Sequence, residues 1–470
     1  MNFSKPKGTY DVLATDSPKW HYVENIIREI TRVNNVSEIR TPMFEASELY
    51  HRAAGETTDV VSKETYDFVD RGNRRMTLRP EGTAGVVRSF VENKLHVNPG
   101  MQKFYYVGPM FRYERQQKGR YRQHIQFGVE YFGSDSPFAD VELIGLAVMM
   151  IEKLGLGTNV KVKLNSLGSD ASRKLYREAL VEHFSSCKDE LCSDCQIRYE
   201  KNPLRILDCK KDATSAGMQN APAMVDYLIE EDAAFFAAVK KGLDAVGIEY
   251  EYDRNLVRGF DYYTHTIFEV QADIPGFGAQ ATLCGGGRYD KLVEELGGPA
   301  TPAIGFGMGI ERILLAMEAA GVAKDLKSDL EFLFLPMGED AKIAVADFLY
   351  ELRYYGAVCD ADYTDRKLKA RFKTADDLGA KYTIVIGDEE LESTVVKLKC
   401  TDTGEITELP LDAKVLYHFA ETNVNRRDVV DGLEDMQEFL AGLTPAELAN
   451  LEIDSDMKEL LELLESSEGL

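Results

Sequence analysis

The stretch that most limits what this chain can become runs from Gly108 to Gly133. Its flanks, Phe104–Phe111 and His124–Phe132, alternate apolar and polar residues with the period of a half-buried strand, and the segment between them is basic and contains glycine. The expected unit is a β-hairpin carrying a cation cluster. Arg112, Arg115, Lys118, Arg120 and Arg122 place five positive charges within eleven residues of a chain whose formal net charge is -24. A local reversal of this size calls for an anionic partner. Arg112 closes the first strand, where a sheet can hold its planar guanidinium still for two oxygens of a phosphate. Gln126 and Glu130, four residues apart on the returning strand, share one face in a period-2 pattern. That face then offers a cation, an amide and a carboxylate. The bland alternative is a solvated hairpin whose arginines pair with surface acids.

At 470 residues the chain is too long for one ordinary core, so two or three domains are expected. With 44% apolar and 29% charged residues the composition is that of a soluble globular protein. No apolar run approaches the roughly 20 residues needed to span a bilayer, and the first residues lack the apolar core of a signal peptide, so a cytoplasmic protein is expected. Seven cysteines, an odd number, argue against a secreted disulfide framework. Cys187, Cys192, Cys195 and Cys209 crowd one stretch, and the Cys192–Cys195 spacing suits zinc, but no second close pair follows; free thiols are the expectation and no protein metal ligand is assigned. The acidity is uneven: residues 421–470 hold 14 Asp or Glu against 3 Lys or Arg, a balance of -11. Basic loops on the remaining body are compatible with a specific RNA partner despite the overall charge.

In chain order, Ser17-Pro18 reads as a helix cap and first turn, followed by Val23, Ile26, Ile27, Ile30 and Val33 at helical spacing. Ser37–Glu45 is extended, with Pro42 confining it to an edge. A strand from Arg75 turns at Pro80 and Gly82 into a helix; Glu81 and Thr83 at that turn can face a ligand's ammonium group or simply cap the helix. Ala139–Lys153 is an apolar helix and Val160–Leu164 a strand. Residues 170–250 are mostly helical and carry no catalytic constellation. Then Arg258, beside Gly259, is a fixed cation with close backbone access, and Tyr262 and Tyr263 offer phenols to a polar ligand ring; His265, with no partner in sequence, reads as a surface residue. Cys284-Gly-Gly-Gly-Arg-Tyr-Asp290 ends a strand, and Ala303–Gly309 is a glycine-faced strand running into a helix with Arg312 in its first turn, suited to a stacked purine and its phosphates. Its glycine spacing is not the dinucleotide fingerprint. From Leu330 the pattern alternates βαβα, a compact α/β unit, and Arg366, Lys367, Lys369, Arg371 and Lys373 give its second helix a basic face for RNA, or for surface salt bridges.

Together these segments resemble the class II aminoacyl-tRNA synthetases, and within them the histidyl branch, over roughly residues 1–420. Arg-Thr-Pro42, Phe-Arg112-Tyr-Glu and Gly-Met-Gly309-Ile-Glu-Arg312 resemble the three class motifs in order; Leu-Val-Arg258-Gly-Phe-Asp-Tyr262-Tyr263 and the Asn202–Lys211 run single out the histidyl branch. Gln116 stands where that family often has proline. The resemblance implies an α+β fold: a mainly antiparallel six-stranded catalytic sheet in two parts, 1–165 and 251–325, a mostly helical insertion at 166–250, an anticodon-binding α/β domain at 328–420 and an unmatched acidic extension, helical by pattern, at 421–470. It implies that Glu81, Thr83 and Gln126 hold the amino end of histidine, that Glu130 and Tyr263, with Tyr262 beside them, read its imidazole, and that Arg112 and Arg258 act on the α-phosphate and the reacting carboxylate. Arg112, Glu114, Arg120 and Arg312 would bind ATP, with Mg²⁺. L-histidine, ATP and tRNA(His) are the implied substrates, and a homodimer meeting near Pro42 the implied assembly. The rival is a non-catalytic regulatory paralogue that serves a histidine-biosynthetic phosphoribosyltransferase; it would be expected to lack the terminal α/β domain. A proline or threonine ligase would lack the Arg258–Tyr263 stretch.

Overall fold

The computed structural model describes residues 3–54, 63–115, 118–207, 209, 211–275, 277, 281–323 and 330–422. Gln116, residues 324–329 ahead of the α/β unit and the acidic extension from 423 onward lie outside the described residues. The chain divides into two compact units, Met1–Lys324 and Asp325–Leu470.

The first unit runs α1 (Ser17–Val33), β1 (Ser37–Glu38), β2 (Phe44–Ala46), α2 (Ser47–Ala54), β3 (Tyr66–Val69), β4 (Arg75–Leu78), α3 (Thr83–Glu92), β5 (Gln102–Phe111), β6 (Gln123–Phe132), α4 (Pro137–Lys153) and β7 (Val160–Ser166). It continues through α5 (Asp170–Ser185), α6 (Ser193–Lys201), α7 (Ala216–Gln219), α8 (Glu230–Ala245), β8 (Tyr250–Tyr252), β9 (Thr264–Ala272), β10 (Thr282–Arg288), α9 (Leu292–Glu295), β11 (Ala303–Gly309) and α10 (Ile310–Ala320). One sheet has the order β1-β5-β6-β11-β10-β9-β7-β8. Its six inner strands are antiparallel, as the resemblance implied, and the two short edge strands β1 and β8 add in parallel. The hairpin forms with β5 and β6 in register from Gln102 opposite Phe132 to Phe111 opposite Gln123.

Alternation along β6 builds two cores. Phe127, Val129 and Tyr131 join the cluster under α1, α4 and α8, whereas Phe132 joins a second cluster with Tyr106, Tyr262, Tyr263 and Tyr289. Helix α1 buries Val23, Ile27 and Ile30 at the predicted spacing, but its start differs from expectation: Ser17 is already helical, and the residue before it, Asp16, makes no side-chain cap. Helix α4 starts at Pro137, with the Ser136 hydroxyl accepting from the Phe138 amide, and buries residues around most of its circumference because it lies between the sheet and helices α1 and α8. In the helical stretch after β7, α5 to α7 gather a separate small core around Tyr176, Leu180, Phe184 and Cys195, while α8 packs Phe236, Val239 and Leu243 into the main one.

The second unit places β12 (Phe332–Pro336), α11 (Glu339–Tyr355), β13 (Cys359–Ala361), α12 (Leu368–Leu378), β14 (Tyr382–Ile386), α13 (Asp388–Ser393), β15 (Val395–Cys400) and β16 (Ile406–Pro410) on a sheet ordered β13-β12-β14-β15-β16. Strand β12 pairs parallel with β13 and β14, and β15 and β16 follow antiparallel, so the sheet is partly parallel. The expected basic face of α12 loses one member. Arg371 is buried and donates to the carbonyls of Pro336 and Asp362, because the chain ends left by β12 and β13 would otherwise bury unmet acceptors; Lys369 and Lys373 remain exposed. No described helix is long and apolar enough to cross a membrane.

Candidate active site

The strand register assembles the site. Gly108 and Gly309 flank Gln126, and Phe104 and Gly305 flank Glu130, so both polar side chains of β6 rise from one face of the sheet. A cleft of about 180 Å³ there is lined by Glu81, Thr83, Gln126, Arg258, Tyr262 and Tyr263 together with Arg112, Glu114, Arg120 and Arg312. Arginines separated by up to two hundred residues therefore meet at one cavity.

At the turn into α3 the two readings of Glu81 and Thr83 merge. The Glu81 carboxylate accepts from the amides of Thr83, at 2.6 Å, and Ala84, at 2.9 Å, capping the helix. The Thr83 hydroxyl donates to Glu130 at 2.7 Å. Glu81 is buried, which raises its carboxyl pKa against the pull of those amides and of Arg112. Glu130 is the expected site residue that does not line the cleft. It is fully buried beneath it, held by Thr83 and by the Tyr289 hydroxyl at 2.5 Å, and burial pushes its carboxyl up to about 8. Tyr289 was missed in the sequence although it does line the cleft; so was Tyr106, whose hydroxyl accepts from Gln126 Nε2 at 2.9 Å. Only strand pairing discloses either contact.

The glycines of β11 line the cleft and also seat side chains of the neighbouring strand. A Cβ on Gly305 would stand 1.7 Å from Glu130 Oε2, and one on Gly307 would stand 2.4 Å from Gln126 Nε2. These positions make room for the polar side chains of the neighbouring strand, so they do not themselves argue for a purine. Gly285 does the same for Arg258: a Cβ there would lie 2.5–2.7 Å from the guanidinium, which rests flat on β10. Arg258 pairs with Glu269 and stands 5.7 Å from the Tyr263 ring centroid, while its Nε has no partner among the described residues. Phe260 and Tyr262 stack beside it with rings 8° from parallel.

The remaining cations crowd together. Arg112 donates to the Pro80 carbonyl at 2.8 Å and approaches Glu114 at 3.8 Å; Arg120 reaches the other oxygen of Glu114 at 3.2 Å. Arg312 is fixed by the carbonyls of Thr282, at 2.8 Å, and Gly119, at 3.2 Å. Burial, then Arg120 and Arg112, lowers the pKa of Arg312, and burial with Arg112 and Arg312 drives that of His124 down to about 3. His124 is thus neutral, and Arg112, Arg120 and Arg312 gather around the one carboxylate of Glu114, a local excess of positive charge that favours an anion such as a phosphate. Glu114, set among these cations, is the cleft carboxylate best placed to share a hard divalent ion with a phosphate. His265 is not the surface residue expected: its imidazole packs against Phe235, ring centroids 5.1 Å apart and tilted by 39°, and lies 3.7 and 3.8 Å from Asp232 and Asp290.

A mainly antiparallel sheet that gathers arginines beside a small pocket of buried acids and phenols is the catalytic domain of a class II aminoacyl-tRNA synthetase. Residues 8–187 and 196–313 match the family model for histidyl-tRNA synthetase, and 331–416 the model for the anticodon binding domain. Similar proteins include the histidine–tRNA ligases of Geobacillus sp. (strain WCH70), 52% identical across 89% of this chain and 99% of the relative, and of Bacillus subtilis (strain 168), 51% identical across 88% and 97%. The structure of apo S. aureus histidyl-tRNA synthetase superposes with a TM-score of 0.76 at 45% identity, covering 89% of this chain and all of that one. The histidyl-tRNA synthetase of Nostoc sp. PCC 7120, at 20% identity and a TM-score of 0.66 over 91% of this chain and all of that one, shares the fold. The chain belongs to the histidyl-tRNA synthetase family.

Proposed function

We propose that this enzyme, a histidine–tRNA ligase, activates L-histidine with ATP and transfers it to the 3′ end of tRNA(His), using the residues of the cleft. The observation that carries the reading is the meeting of Arg112, Arg258 and Arg312 at one cavity beside Glu81, Gln126 and Tyr263. The carboxylate of histidine attacks the α-phosphorus, pyrophosphate leaves, and the terminal ribose hydroxyl of the tRNA then takes the histidyl group from the adenylate. No protein nucleophile is needed; positioning and cations aimed at the developing charge suffice. Arg258, held flat by Gly285, faces the reacting carboxylate and α-phosphate with Arg112. Arg312, Arg120 and Glu114 take the outer phosphates. Mg²⁺ would be held by Glu114 together with phosphate oxygens and water, and when bound it neutralises charge on those oxygens.

Glu81 and Gln126, with Thr83, receive the ammonium group, and Tyr263 with Tyr262 contacts the ring. Glu130 acts from beneath, through Thr83 and Tyr289, by fixing where those hydroxyls point. Met43 and Phe44, next to Pro42 in sequence, and Phe68 and Val69, on β3 of the same three-stranded sheet as β2, are exposed apolar residues and support a homodimer meeting there. Seven free thiols and the family's role in protein synthesis support the cytoplasm. The regulatory-paralogue alternative is disfavoured by the anticodon binding match at 331–416 and by the intact arginine set. The test is ATP–pyrophosphate exchange with each standard amino acid in turn, followed by charging of tRNA(His): exchange dependent on histidine alone is expected, and equal exchange with another amino acid would overturn the reading.

A further inference from the structure

The small core of the helical stretch contains a constellation that ligase chemistry does not use. Cys192, Cys195, Cys209 and Asp212 each present one ligand atom, and these four atoms lie within 4.8 Å of one another. Cys192 Sγ and Cys209 Sγ are 3.7 Å apart. Thiolates bound to zinc at about 2.3 Å in a tetrahedron stand about 3.8 Å apart, so the observed spacing is that of a tetrahedral edge. Cys195 and Cys209 are buried, the former completely. The Asp212 carboxylate is steered toward the sulfurs by the amide of Cys192, which donates to its two oxygens at 3.1 and 3.3 Å. Cys187, the remaining cysteine of this stretch, stands outside the cluster, and Asp212 supplies the fourth ligand atom. Residues 188–195, which carry two of the thiols, are the part of this region that the family model leaves unmatched.

We propose that Cys192, Cys195, Cys209 and Asp212 form a structural zinc site. Three soft sulfurs and one carboxylate in a closed tetrahedron select Zn²⁺ over Mg²⁺ or Ca²⁺, which take larger sets of oxygen ligands. The site clips both ends of the segment 192–212. From the middle of that segment Asn202 Nδ2 donates to Asp261 at 3.3 Å, and Arg205 donates to Asp261 at 2.8 Å and to the Gly259 carbonyl at 3.0 Å. Gly259 and Asp261 directly follow Arg258 in its loop, so the ion stiffens the backbone behind the cleft without touching substrate. Cys192, Cys195, Cys209 and Asp212 are therefore positioning residues for the reaction.

The experiment uses the full chain, purified under reducing conditions, with zinc measured by mass spectrometry and Co²⁺ exchanged for it. One metal per chain is expected, with the sulfur-to-cobalt charge-transfer band and strong visible bands of a tetrahedral thiolate site. Cys187→Ser should keep this spectrum and Cys195→Ser should lose it. Asp212→Asn should weaken Zn²⁺ binding by at least the ~10–100-fold that loss of even an outer partner costs. Removing the metal should raise the KM for histidine more than that for ATP, and zinc should restore it. Should a cysteine variant fail to fold, the wild-type cobalt spectrum and Asp212→Asn still decide. A folded, reduced wild type that takes up no stoichiometric metal would overturn the site, as would an octahedral cobalt spectrum, a Cys192–Cys209 disulfide in the reduced preparation, or retention of the spectrum by Cys195→Ser.

Discussion

Two arginines from opposite sides of the catalytic sheet show what distinguishes a structural cation from a working one. Arg288, at the end of β10, is almost completely buried and saturated: it meets Asp140 through Nε and Nη2, Asp290 at 3.2 Å, and the carbonyls of Ser134 and Ser136 at 2.8 and 3.1 Å. Arg258, in the same glycine-rich neighbourhood, pairs with one carboxylate and leaves Nε without a partner among the described residues. Arg112 and Arg120 are similarly under-satisfied, sharing Glu114 between them. Burial with every donor matched holds a fold together. Burial with donors to spare, around a cavity, creates a site that gains from receiving an anion.

The contrast can be broken first at Arg288. Arg288→Met leaves Asp140 as an unpaired buried carboxylate and should destabilise the first unit by about 3–5 kcal/mol in chemical denaturation. A loss of less than about 1 kcal/mol would mean that the pair is not structural, since that is the range of exposed ion pairs. A finer test leaves both arginines in place. Gly285→Ala pushes a methyl group against the Arg258 guanidinium, and a misplacement of about 1 Å should lower histidine-dependent exchange by about 100-fold, with the far-ultraviolet circular dichroism unchanged. Wild-type exchange in that variant would show that the flat seat is not needed.

Glu130 sharpens the comparison from the carboxylate side. Glu130→Gln should raise the KM for histidine by about 10-fold, near the lower end of the ~1–3 kcal/mol range for a disturbed buried hydrogen-bond set, and should leave the KM for ATP nearly unchanged. Equal losses for both substrates would remove Glu130 from the histidine pocket. Its pKa is raised on folding, to about 8, so the folded state holds the proton that the unfolded state releases near its ordinary value. The stabilising linkage is complete below the unfolded pKa and fades as pH rises through about 8. Between those limits Glu130→Gln should flatten the decline of stability seen in the wild type; identical profiles would contradict the assignment. The smallest effect belongs to α12. Lys369→Ala with Lys373→Ala should weaken tRNA binding by a few-fold, shallow its salt dependence and leave exchange untouched. Arg371→Ala, which removes donors from the carbonyls of Pro336 and Asp362, should instead lower the stability of the second unit, read as an earlier unfolding transition.

The parts of this molecule legible from sequence were those encoded by short-range period. The hairpin's alternation placed Gln126 and Glu130 on one face, and the charge reversal between its strands marked where anions go. The convergence of Arg112 with Arg258 needed the family resemblance, because nothing local links residues so far apart. What escaped depends on the pairing of distant segments: Tyr289 against Glu130, Tyr106 against Gln126, and the use of Gly305 and Gly307 as room for side chains. Arg371 was misread for a related reason, since a helical run of cations does not say which one faces unmet carbonyls. His265 looked solitary only because Asp232, Phe235 and Asp290 approach it from other elements.

The most direct test is histidine-dependent ATP–pyrophosphate exchange by Arg258→Ala, compared with the wild type at a temperature where both are folded. Loss of one preorganised cation from the reacting centre should cost about 100- to 1,000-fold in rate while the melting temperature stays within a few degrees of the wild type. Near-normal exchange by the folded variant would mean that the arginines lining the cleft do not converge on a common reaction centre.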